Sequence, residues 1–440
     1  SISEDILQLP QLVPLRCDDC TSLTSPPYAV CKQGLPAVRQ YFNDIADSKS
    51  VTLTEVPVAV IGLSMAGKTS LIRSLQKRTR VLTFRQSSSI HDETTKVLRV
   101  KELNVDESTT VKLIDYGGHE VYHLAYQLTQ KSRCIPLIVV NLKQFSDMSQ
   151  SVGHKEAARA VLFDWMSHLY LACPKLDAPI LVLTHTDKLG EAVQQRKEEL
   201  LHAAQAIREE LLEEEKIFSN KSLRQLSRVD HLSNTEVPLF HPEDIFEFSD
   251  TAGDIILLVQ NLSNRCKKFK VKLPQRWNEV ENLVKNHKQA YMELSDLQSK
   301  VDPEQLTVIL RYMHNAGRIL WFEDITDLSS IIFNDISAIA DLISLLFHHS
   351  TDDQWKERVA KFTLYKHEGV VVRRAKFEEL IKQFTTSGVL GEALLYYLLT
   401  ESKFPFTISL SLLESFNLLY GPLDQLNNKS YIVPYFSPEP

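Results

Sequence analysis

Glycine is scarce in this chain, at 13 of 440 residues, which is less than half the average usage of about 7%. Four of these glycines fall in two short stretches, namely Gly62, Gly67, Gly117 and Gly118. Glycine lets a backbone approach another group closely, because it has no side chain. A chain that uses glycine so sparingly and still clusters it therefore needs such an approach at these two places.

Long apolar runs are also missing. No stretch reaches the roughly 20 apolar residues that a transmembrane helix requires, and the first residues lack the pattern of a signal peptide. Six cysteines without a dense framework indicate reduced thiols, so we expect a cytoplasmic protein. The formal net charge of −7 argues against a nucleic-acid binder, which would carry a basic domain.

The length of 440 residues exceeds what one core holds and predicts two or three domains. The stretch LVPLRCDDC fits the leucine-rich-repeat frame, with Cys17 at a core position and Cys20 at the turn. The alternative reading of this C-x-x-C is half a zinc site, but no second pair follows at a suitable spacing. Apolar residues from Val30 to Phe42 then recur at helical spacing, as expected for the cap of a repeat array.

From about residue 51 to 266, apolar runs alternate with helical patterns. Continuous rather than alternating hydrophobicity is typical of strands covered on both faces, so the segment predicts a mostly parallel α/β sheet with helices on both faces. The predicted strands are VPVAVI, TVKLID, CIPLIVVNL, PILVLTHTD and IFEFS, and the predicted helices lie near 68–78, 154–171, 193–215 and 252–265. Residues 216–243 are polar and show no hydrophobic periodicity, which predicts a long surface loop.

The sequence pattern changes at Pro274, after which it predicts helices rich in leucine and isoleucine and contains the strand-like stretch RILWFED. This pattern predicts a compact, mainly helical α+β domain with one or two short strands. No motif with the residue spacing of a catalytic site occurs in this segment. The adjacent His348 and His349 would point about 100° apart in a helix, which disfavours a shared metal ion.

The stretch GLSMAGKTS, residues 62–70, matches the phosphate-binding pattern G-x-x-x-x-G-K-[ST] between a predicted strand and a predicted helix. Gly62 permits the sharp turn, and successive backbone N–H groups with the helix N-terminus would hold the β-phosphate. Lys68 would reach the β- and γ-phosphate oxygens, and Thr69 would bind Mg²⁺. The other expected nucleotide contacts of this loop are Ser64, Met65, Ala66, Gly67 and Ser70.

A second charged turn follows the strand in LIDYGGHEVY, residues 113–122. Asp115 would lie at the carboxyl edge of the sheet, beside the phosphate loop, where it can hold Mg²⁺. Gly118 would donate its amide to a γ-phosphate oxygen, because no side chain keeps the backbone away. The alternative is a simple β-turn, but the spacing of about 47 residues between Lys68 and Asp115 favours the nucleotide reading.

Two further strand ends predict how a base would be bound. Asp187, in LTHTD, would accept hydrogen bonds from both N1–H and N2–H of guanine, a pairing that adenine cannot offer. Ser249 ends the last predicted strand in FEFSDTAG, where neighbouring backbone amides would reach the base oxygen. These strand ends therefore predict a preference for guanine.

In this order, the motifs of residues 51–266 resemble those of small Ras-like GTPases. T-H-T-D in place of N-K-x-D, D-Y-G-G-H-E in place of D-T-A-G-Q-E, and the segments on either side resemble the Roco family more narrowly. Roco proteins join leucine-rich repeats to a Roc GTPase domain and a COR domain. The resemblance divides the chain into a leucine-rich-repeat C-terminal cap (1–48), a Roc P-loop GTPase domain (49–268) and the N-terminal half of a COR domain (269–440), with LPQRW, LRYMHNAGRILWF and YIVPYF as COR-like stretches.

The resemblance implies binding of GTP and GDP with Mg²⁺, slow GTP hydrolysis, and coupling of the nucleotide state to the COR domain. Protein partners would bind through the repeats and the COR domain. Thr94 is the implied first-switch ligand of Mg²⁺, with Thr95 as the alternative. His119 stands where Ras-like GTPases place a water-orienting glutamine; it either orients water or has no chemical role. Thr184 and His185 replace an asparagine and a lysine of the base loop, where His185 either stacks on the purine or packs.

Other departures from the Ras-like pattern affect turnover and assembly. Ser64 and Met65 replace loop glycines and add bulk near the γ-phosphate, which would exclude an arginine finger. Two alternatives stay open: a nucleotide-holding scaffold without useful turnover, and an ATPase of the wider P-loop class, which Asp187 disfavours.

Dimer contacts in the family involve Roc and the C-terminal half of COR. We therefore expect a dimer of the full-length protein and a monomer of these 440 residues.

Overall fold

The computed structural model divides the chain into two compact units, Ser1–Leu283 with Pro303–Arg318, and Val284–Asp302 with Ile319–Pro440. The predicted domain boundaries, after residues 48 and 268, stay predictions. The structure describes residues 2–5, 17, 23, 25–53, 55–82, 98–106, 109–117, 134–167, 178–219, 239–248, 252–266, 270–347, 352–362, 364–367, 370–425 and 428–434.

A six-stranded sheet forms the centre of the first unit. The strands of this unit are β1 (Ser50–Leu53), β2 (Glu55–Ile61), β3 (Leu98–Asp106), β4 (Thr109–Tyr116), β5 (Ile135–Asn141), β6 (Ile180–Thr184), β7 (Ile245–Phe248) and β8 (Val271–Pro274). The sheet has the order β3-β4-β2-β5-β6-β7, and every neighbouring pair is parallel except β3 and β4. The predicted mostly parallel sheet is confirmed.

Helices cover both faces of this sheet. In both units together, the α-helices of the described residues are α1 (Tyr28–Cys31), α2 (Leu35–Asp47), α3 (Lys68–Leu82), α4 (Leu142–Val152), α5 (His154–Ala158), α6 (Val193–Ser219), α7 (Ala252–Cys266), α8 (Gln275–Lys285), α9 (Leu294–Gln298), α10 (Pro303–Asn315), α11 (Ile336–Phe347), α12 (Asp352–Lys361), α13 (Arg374–Ser387), α14 (Glu392–Leu399) and α15 (Phe406–Ser415); α9 and α11–α15 belong to the second unit. Helices α3 and α7 pack on one core face of the strands, and α4 packs against β5 and β6. None of these described helices has the length and apolarity that would carry it across a membrane.

Burial on both faces explains the uninterrupted apolar strands. In β2 the four residues from Val58 to Ile61 are all fully buried. Because side chains alternate across a strand, Val58 and Val60 join the core under α3 and α7, while Ala59 and Ile61 point to the other face. Burying a valine or isoleucine side chain stabilises the fold by about 1.5–3 kcal/mol, so a central strand with two apolar faces contributes strongly.

Several elements of this unit differ from the sequence predictions. Neither β3 nor α4 was predicted, because β3 is an edge strand with exposed Val100 and Lys101 and α4 follows β5 without a break. Asn141 lies at the transition from β5 to α4. Its side chain accepts a hydrogen bond from the Gln144 backbone N–H at 3.0 Å and so caps the helix. The predicted loop at 216–243 was wrong at its start, because α6 continues to Ser219. Residues 220–238 lie outside the described residues.

A ribbon joins the segments that precede and follow the six-stranded sheet. Strands β1 and β8 pair antiparallel, from Ser50 opposite Pro274 to Leu53 opposite Val271. The Tyr41 hydroxyl, on α2, donates to a backbone carbonyl of β8 at 2.8 Å. This pairing was not predicted, because its two strands are short and more than 200 residues apart in sequence.

A buried polar cluster in the same unit adds to this connection. The Asp44 carboxylate on α2 is 5% exposed and accepts hydrogen bonds from Trp277 Nε1 at 2.7 Å and from Gln305 Nε2 at 2.6 Å. Gln40 Nε2 donates to it as well, at 2.8 Å. Three donors satisfy a buried carboxylate that would otherwise be costly, so α2, α8 and α10 are tied at one point. The leucine-rich-repeat cap stays a prediction: Cys17 is buried, but Cys20 lies outside the described residues.

In the part of the second unit that the structure describes, helices combine with three small antiparallel sheets. Its strands are β9 (Tyr291–Glu293), β10 (Leu320–Trp321), β11 (Ile331–Phe333), β12 (Leu364–His367), β13 (Val370–Arg373), β14 (Val389–Gly391), β15 (Tyr420–Gln425) and β16 (Asn428–Ile432). They pair as β10-β11-β9, β12-β13 and β14-β16-β15. The expected one or two strands were therefore too few, because strands this short carry little periodicity. His348 and His349 lie outside the described residues.

Candidate functional site

The glycine-rich loop lies between the end of β2 and the start of α3. Gly62 has φ +145°, and a Cβ there would lie 2.2 Å from the Val139 carbonyl oxygen of β5. Gly67 has φ +92°, and its Cβ would lie 3.3 Å from Thr184 Cγ2 of β6. Both positions need glycine, because the loop passes close to neighbouring strands in a conformation that other residues rarely adopt.

Lys68 is the buried cation of this loop, with 6% of its surface exposed. Its Nζ donates to the carbonyl oxygens of Gly62 and Leu63, both at 2.8 Å. Burial lowers the pKa of Lys68 from its ordinary value to about 8, although the nearby Asp115 carboxylate acts in the opposite direction. A phosphate group within reach would favour the charged ammonium, so the loop fits an anionic ligand.

Thr69 and Asp115 meet at the carboxyl edge of the sheet. The Thr69 hydroxyl donates to Asp115 Oδ2 at 2.9 Å. Asp115 is 2% exposed and is paired in register with Val60 of the parallel strand β2, so the end of β4 lies beside the loop. A hydroxyl and a carboxylate oxygen are the hard ligands that Mg²⁺ prefers, and these two residues fit a shared metal ion.

Two strand ends hold the apex of the loop. The Thr184 hydroxyl, 2% exposed at the end of β6, donates to the Ala66 carbonyl at 2.7 Å. Asn141 Nδ2 donates to the Met65 carbonyl at 3.5 Å. Met65 itself has φ +63° and is 79% exposed. No role of this kind was predicted for Thr184 or Asn141, although the ends of neighbouring parallel strands meet at the same edge of a sheet.

The Thr184→Val variant is expected to lower the free energy of unfolding by about 1–3 kcal/mol, because it leaves the Ala66 carbonyl without this donor. Urea denaturation of the full chain measures the loss. Thr307→Val is the matched control, since the Thr307 hydroxyl makes only a local helix bond, to the Pro303 carbonyl at 2.9 Å. Equal denaturation midpoints for the two variants would contradict a supporting role for Thr184.

The segment after β6 forms a short 3₁₀ helix, Thr186–Lys188, that exposes Asp187. His185 precedes it in the left-handed conformation, with φ +56°. Its Nδ1 lies 3.1 Å from the Thr184 hydroxyl. The residue before the turn is thus held against the strand end, while the Asp187 side chain remains open to solvent and to a ligand.

The structure brings ten of the residues selected from the sequence to one edge of the sheet or to the segments that follow it, namely Gly62, Met65, Ala66, Gly67, Lys68, Thr69, Asp115, Thr184, His185 and Asp187. Two further selected residues are exposed, Ser64 in the loop and Ser70 in the first turn of α3. Thr94, Gly118, His119 and Ser249 lie outside the described residues, and their roles stay predictions.

Comparisons with known proteins give distant similarities. No family model matches the chain. Malignant fibrous histiocytoma-amplified sequence 1 homolog from Xenopus tropicalis is 21% identical, over 90% of this chain and 42% of that protein. Its counterparts from Mus musculus and Homo sapiens are 22% and 23% identical, each over 74% of this chain and 35% of theirs. The chain thus spans about two-fifths or less of the curated relatives that it matches.

A solved structure is also similar, that of Methanosarcina barkeri Roco2 RocCORdC bound to GDP. Its sequence is 15% identical to this chain, and the two structures superpose with a TM-score of 0.49. The superposition covers 88% of this chain and 98% of the Roco2 chain. At these levels, similarity alone assigns neither a family nor an activity to the chain.

Proposed function

We propose that this chain is a guanine-nucleotide-binding switch that hydrolyses GTP slowly. The observation that carries the proposal is the buried Lys68 in its glycine loop, beside the Thr69 hydroxyl bonded to Asp115 at 2.9 Å. A buried ammonium, a helix N-terminus and an oxygen pair at one sheet edge together suit a phosphate chain with a divalent cation. Asp187 adds the preference for guanine over adenine.

Each part of the ligand has proposed partners in the chain. The loop amides and Lys68 would hold the β- and γ-phosphates, and Thr69 and Asp115 would hold Mg²⁺, with Thr94 as a further ligand. Mg²⁺, when bound, neutralises negative charge on the phosphate oxygens. Gly118 would donate its amide to the γ-phosphate, and His119 would orient the attacking water.

Slow turnover follows from two residues. A histidine offers one ring nitrogen to a water molecule where an amide side chain offers both a donor and an acceptor, so His119 aligns the water less completely. The Met65 side chain projects from the loop with 79% of its surface exposed, which would obstruct an arginine supplied by another protein. We further propose that the nucleotide state is coupled to the COR-like segment and to partner proteins.

The His119→Ala variant tests the catalytic part of this proposal. We expect single-turnover cleavage of GTP in Mg²⁺ to fall by roughly tenfold or more, because the side chain that would orient the attacking water is lost. Bound nucleotide is first released from the purified chain, and cleavage is then followed with wild type and variant side by side. His202→Ala is the matched control, because His202 is an exposed histidine on α6 that has no part in the proposed site. Equal rates for wild type and His119→Ala would make His119 a bystander.

The exposed Met65, held with φ +63°, favours a second candidate function. In this alternative the chain is a scaffold that holds nucleotide without useful turnover. Binding of GTP with no cleavage above the uncatalysed background would support the scaffold and reject the GTPase. Equal competition by ATP and GTP would instead indicate an ATPase of the wider P-loop class.

A further inference from the structure

Strand β7 forms one edge of the six-stranded sheet. Among the described strands it pairs with β6 alone, from Ile245 opposite Leu181 to Phe248 opposite Thr184. An edge strand presents a row of backbone N–H and C=O groups on its outer side, which can template the addition of another strand. The outer side of β7 is therefore a potential site for main-chain hydrogen bonds.

A groove of about 590 Å³ lies along this edge, between β7 and α7. This volume falls within the range of roughly 300–1,000 Å³ typical of ligand sites. The residues that line it from the strand and from one stripe of the helix include Ile245, Phe246, Glu247, Leu257, Gln260 and Asn264. The edge of the sheet and a helix stripe thus form two walls of one groove, the arrangement in which strand addition is combined with side-chain pockets.

Polar contacts tie the walls of the groove to each other. Asn261 Nδ2, on α7, donates to the Glu243 carbonyl at 3.2 Å and to Asp244 Oδ1 at 2.9 Å. Arg265, one turn further along α7, forms an ion pair with Asp244, and both side chains are almost fully buried. These bonds tie the helix to the turn that leads into β7. A preformed groove lowers the entropy lost when a ligand binds.

The chemistry of the groove selects its occupant. A row of main-chain donors and acceptors is matched by an extended backbone, and carboxamides such as that of Gln260 can both donate to and accept from it. Leu257, 56% exposed, offers an apolar contact. The exposed carboxylate of Glu243 lies at the groove and favours a basic side chain. A nucleic acid would be repelled by this carboxylate, and a helix satisfies its own backbone groups.

We propose that the β7–α7 groove binds an extended peptide segment of a partner protein, which adds as a strand to β7. An apolar side chain of the peptide packs on Leu257, and a basic side chain pairs with Glu243. This interaction surface goes beyond the proposed nucleotide switch and does not depend on it. Its two walls, β7 and the stripe of α7, carry none of the residues assigned to the phosphates, and only Thr186, next to Asp187, reaches one end of the groove among its described lining residues.

Selection from a display library of random heptapeptides on the full 440-residue chain tests the proposal. The expected peptides alternate apolar and polar residues and contain lysine or arginine. We expect Leu257→Lys to reduce their capture by at least about tenfold and Glu243→Lys to remove the preference for basic residues. Val152→Lys is the matched control, because Val152 is 55% exposed on α4, away from the groove; this variant should capture peptides like wild type.

Hydrogen exchange then locates the bound peptide. A selected peptide is expected to slow exchange of backbone amides in β7 and to leave the exposed edge strand β3 unchanged. The absence of enriched peptides, equal capture by wild type and Leu257→Lys, or unchanged exchange in β7 would each overturn the proposal. The Lys68→Ala variant separates the two functions, because we expect it to capture peptides normally even when it no longer holds nucleotide.

Discussion

Replacement of Lys68 by alanine is expected to abolish stable nucleotide binding. The change removes a buried ammonium that would otherwise lie against the phosphates. Truncating one partner of a buried, hydrogen-bonded charge pair costs about 2–5 kcal/mol, which corresponds to a loss of affinity of roughly thirtyfold to a few thousandfold. Titration with a fluorescent GDP analogue, together with the nucleotide released from the purified chain, measures the effect.

Lys143→Ala is the matched control for this experiment. Lys143 is 40% exposed on α4 and pairs with Asp147, so its loss removes the same charge from the same unit without touching the loop. Circular dichroism establishes whether both variants remain folded, since Lys68 also bonds the loop carbonyls of Gly62 and Leu63. A folded Lys68→Ala variant with wild-type affinity for GDP would show that the phosphates do not bind at this loop.

The Asp187→Asn variant is expected to exchange one base preference for another. The asparagine amide can donate to the 2-oxo group of xanthine, whereas it no longer accepts both N–H groups of guanine. A bidentate pairing with a base contributes about 1–3 kcal/mol of discrimination, so affinity for GTP should fall roughly 5- to 150-fold while that for xanthosine triphosphate rises. Competition between the two nucleotides for one labelled ligand gives the ratio directly.

Glu191→Gln supplies the control for the lost charge. Glu191 is an exposed carboxylate in the next 3₁₀ turn, Gly190–Ala192, and its neutralisation should leave the ratio of the two affinities unchanged. If Asp187→Asn and Glu191→Gln gave the same ratio as wild type, Asp187 would have no part in base recognition.

The parts of the fold that the sequence predicted are those in which burial repeats along the chain. Strands β2, β5 and β6 are apolar on both faces and were recognised as continuous runs, whereas β3 displays Val100, Lys101 and Glu102 to solvent and has no such run. The ribbon of β1 and β8 exists only through a pairing between distant segments. Periodicity within a window cannot detect an element whose stability comes from the other end of the domain.

In the candidate site, too, some features were predicted from the sequence and others were not. Lys68, Thr69 and Asp115 were grouped from the phosphate-loop motif, from their places at predicted strand ends and from their spacing, and the hydroxyl of Thr69 does bond to Asp115. The support that Thr184 gives to the loop was not foreseen, because a threonine at a strand end has many uses and only the three-dimensional register brings its hydroxyl to the Ala66 carbonyl. Motifs predict which groups would touch a ligand, whereas the groups that support those residues become visible only in the fold.

The ribbon of β1 and β8 also determines how this part of the chain would respond to tension. Ser50 and Pro274 face each other at the end from which both flanking segments leave. A force that pulls these flanks apart therefore acts first on the hydrogen bonds of Asp44 to Trp277 and Gln305. It then separates the two strands of the ribbon one residue pair at a time, beginning with Ser50 and Pro274. Until its last pair separates, the six strands beneath the phosphate loop are shielded from the load.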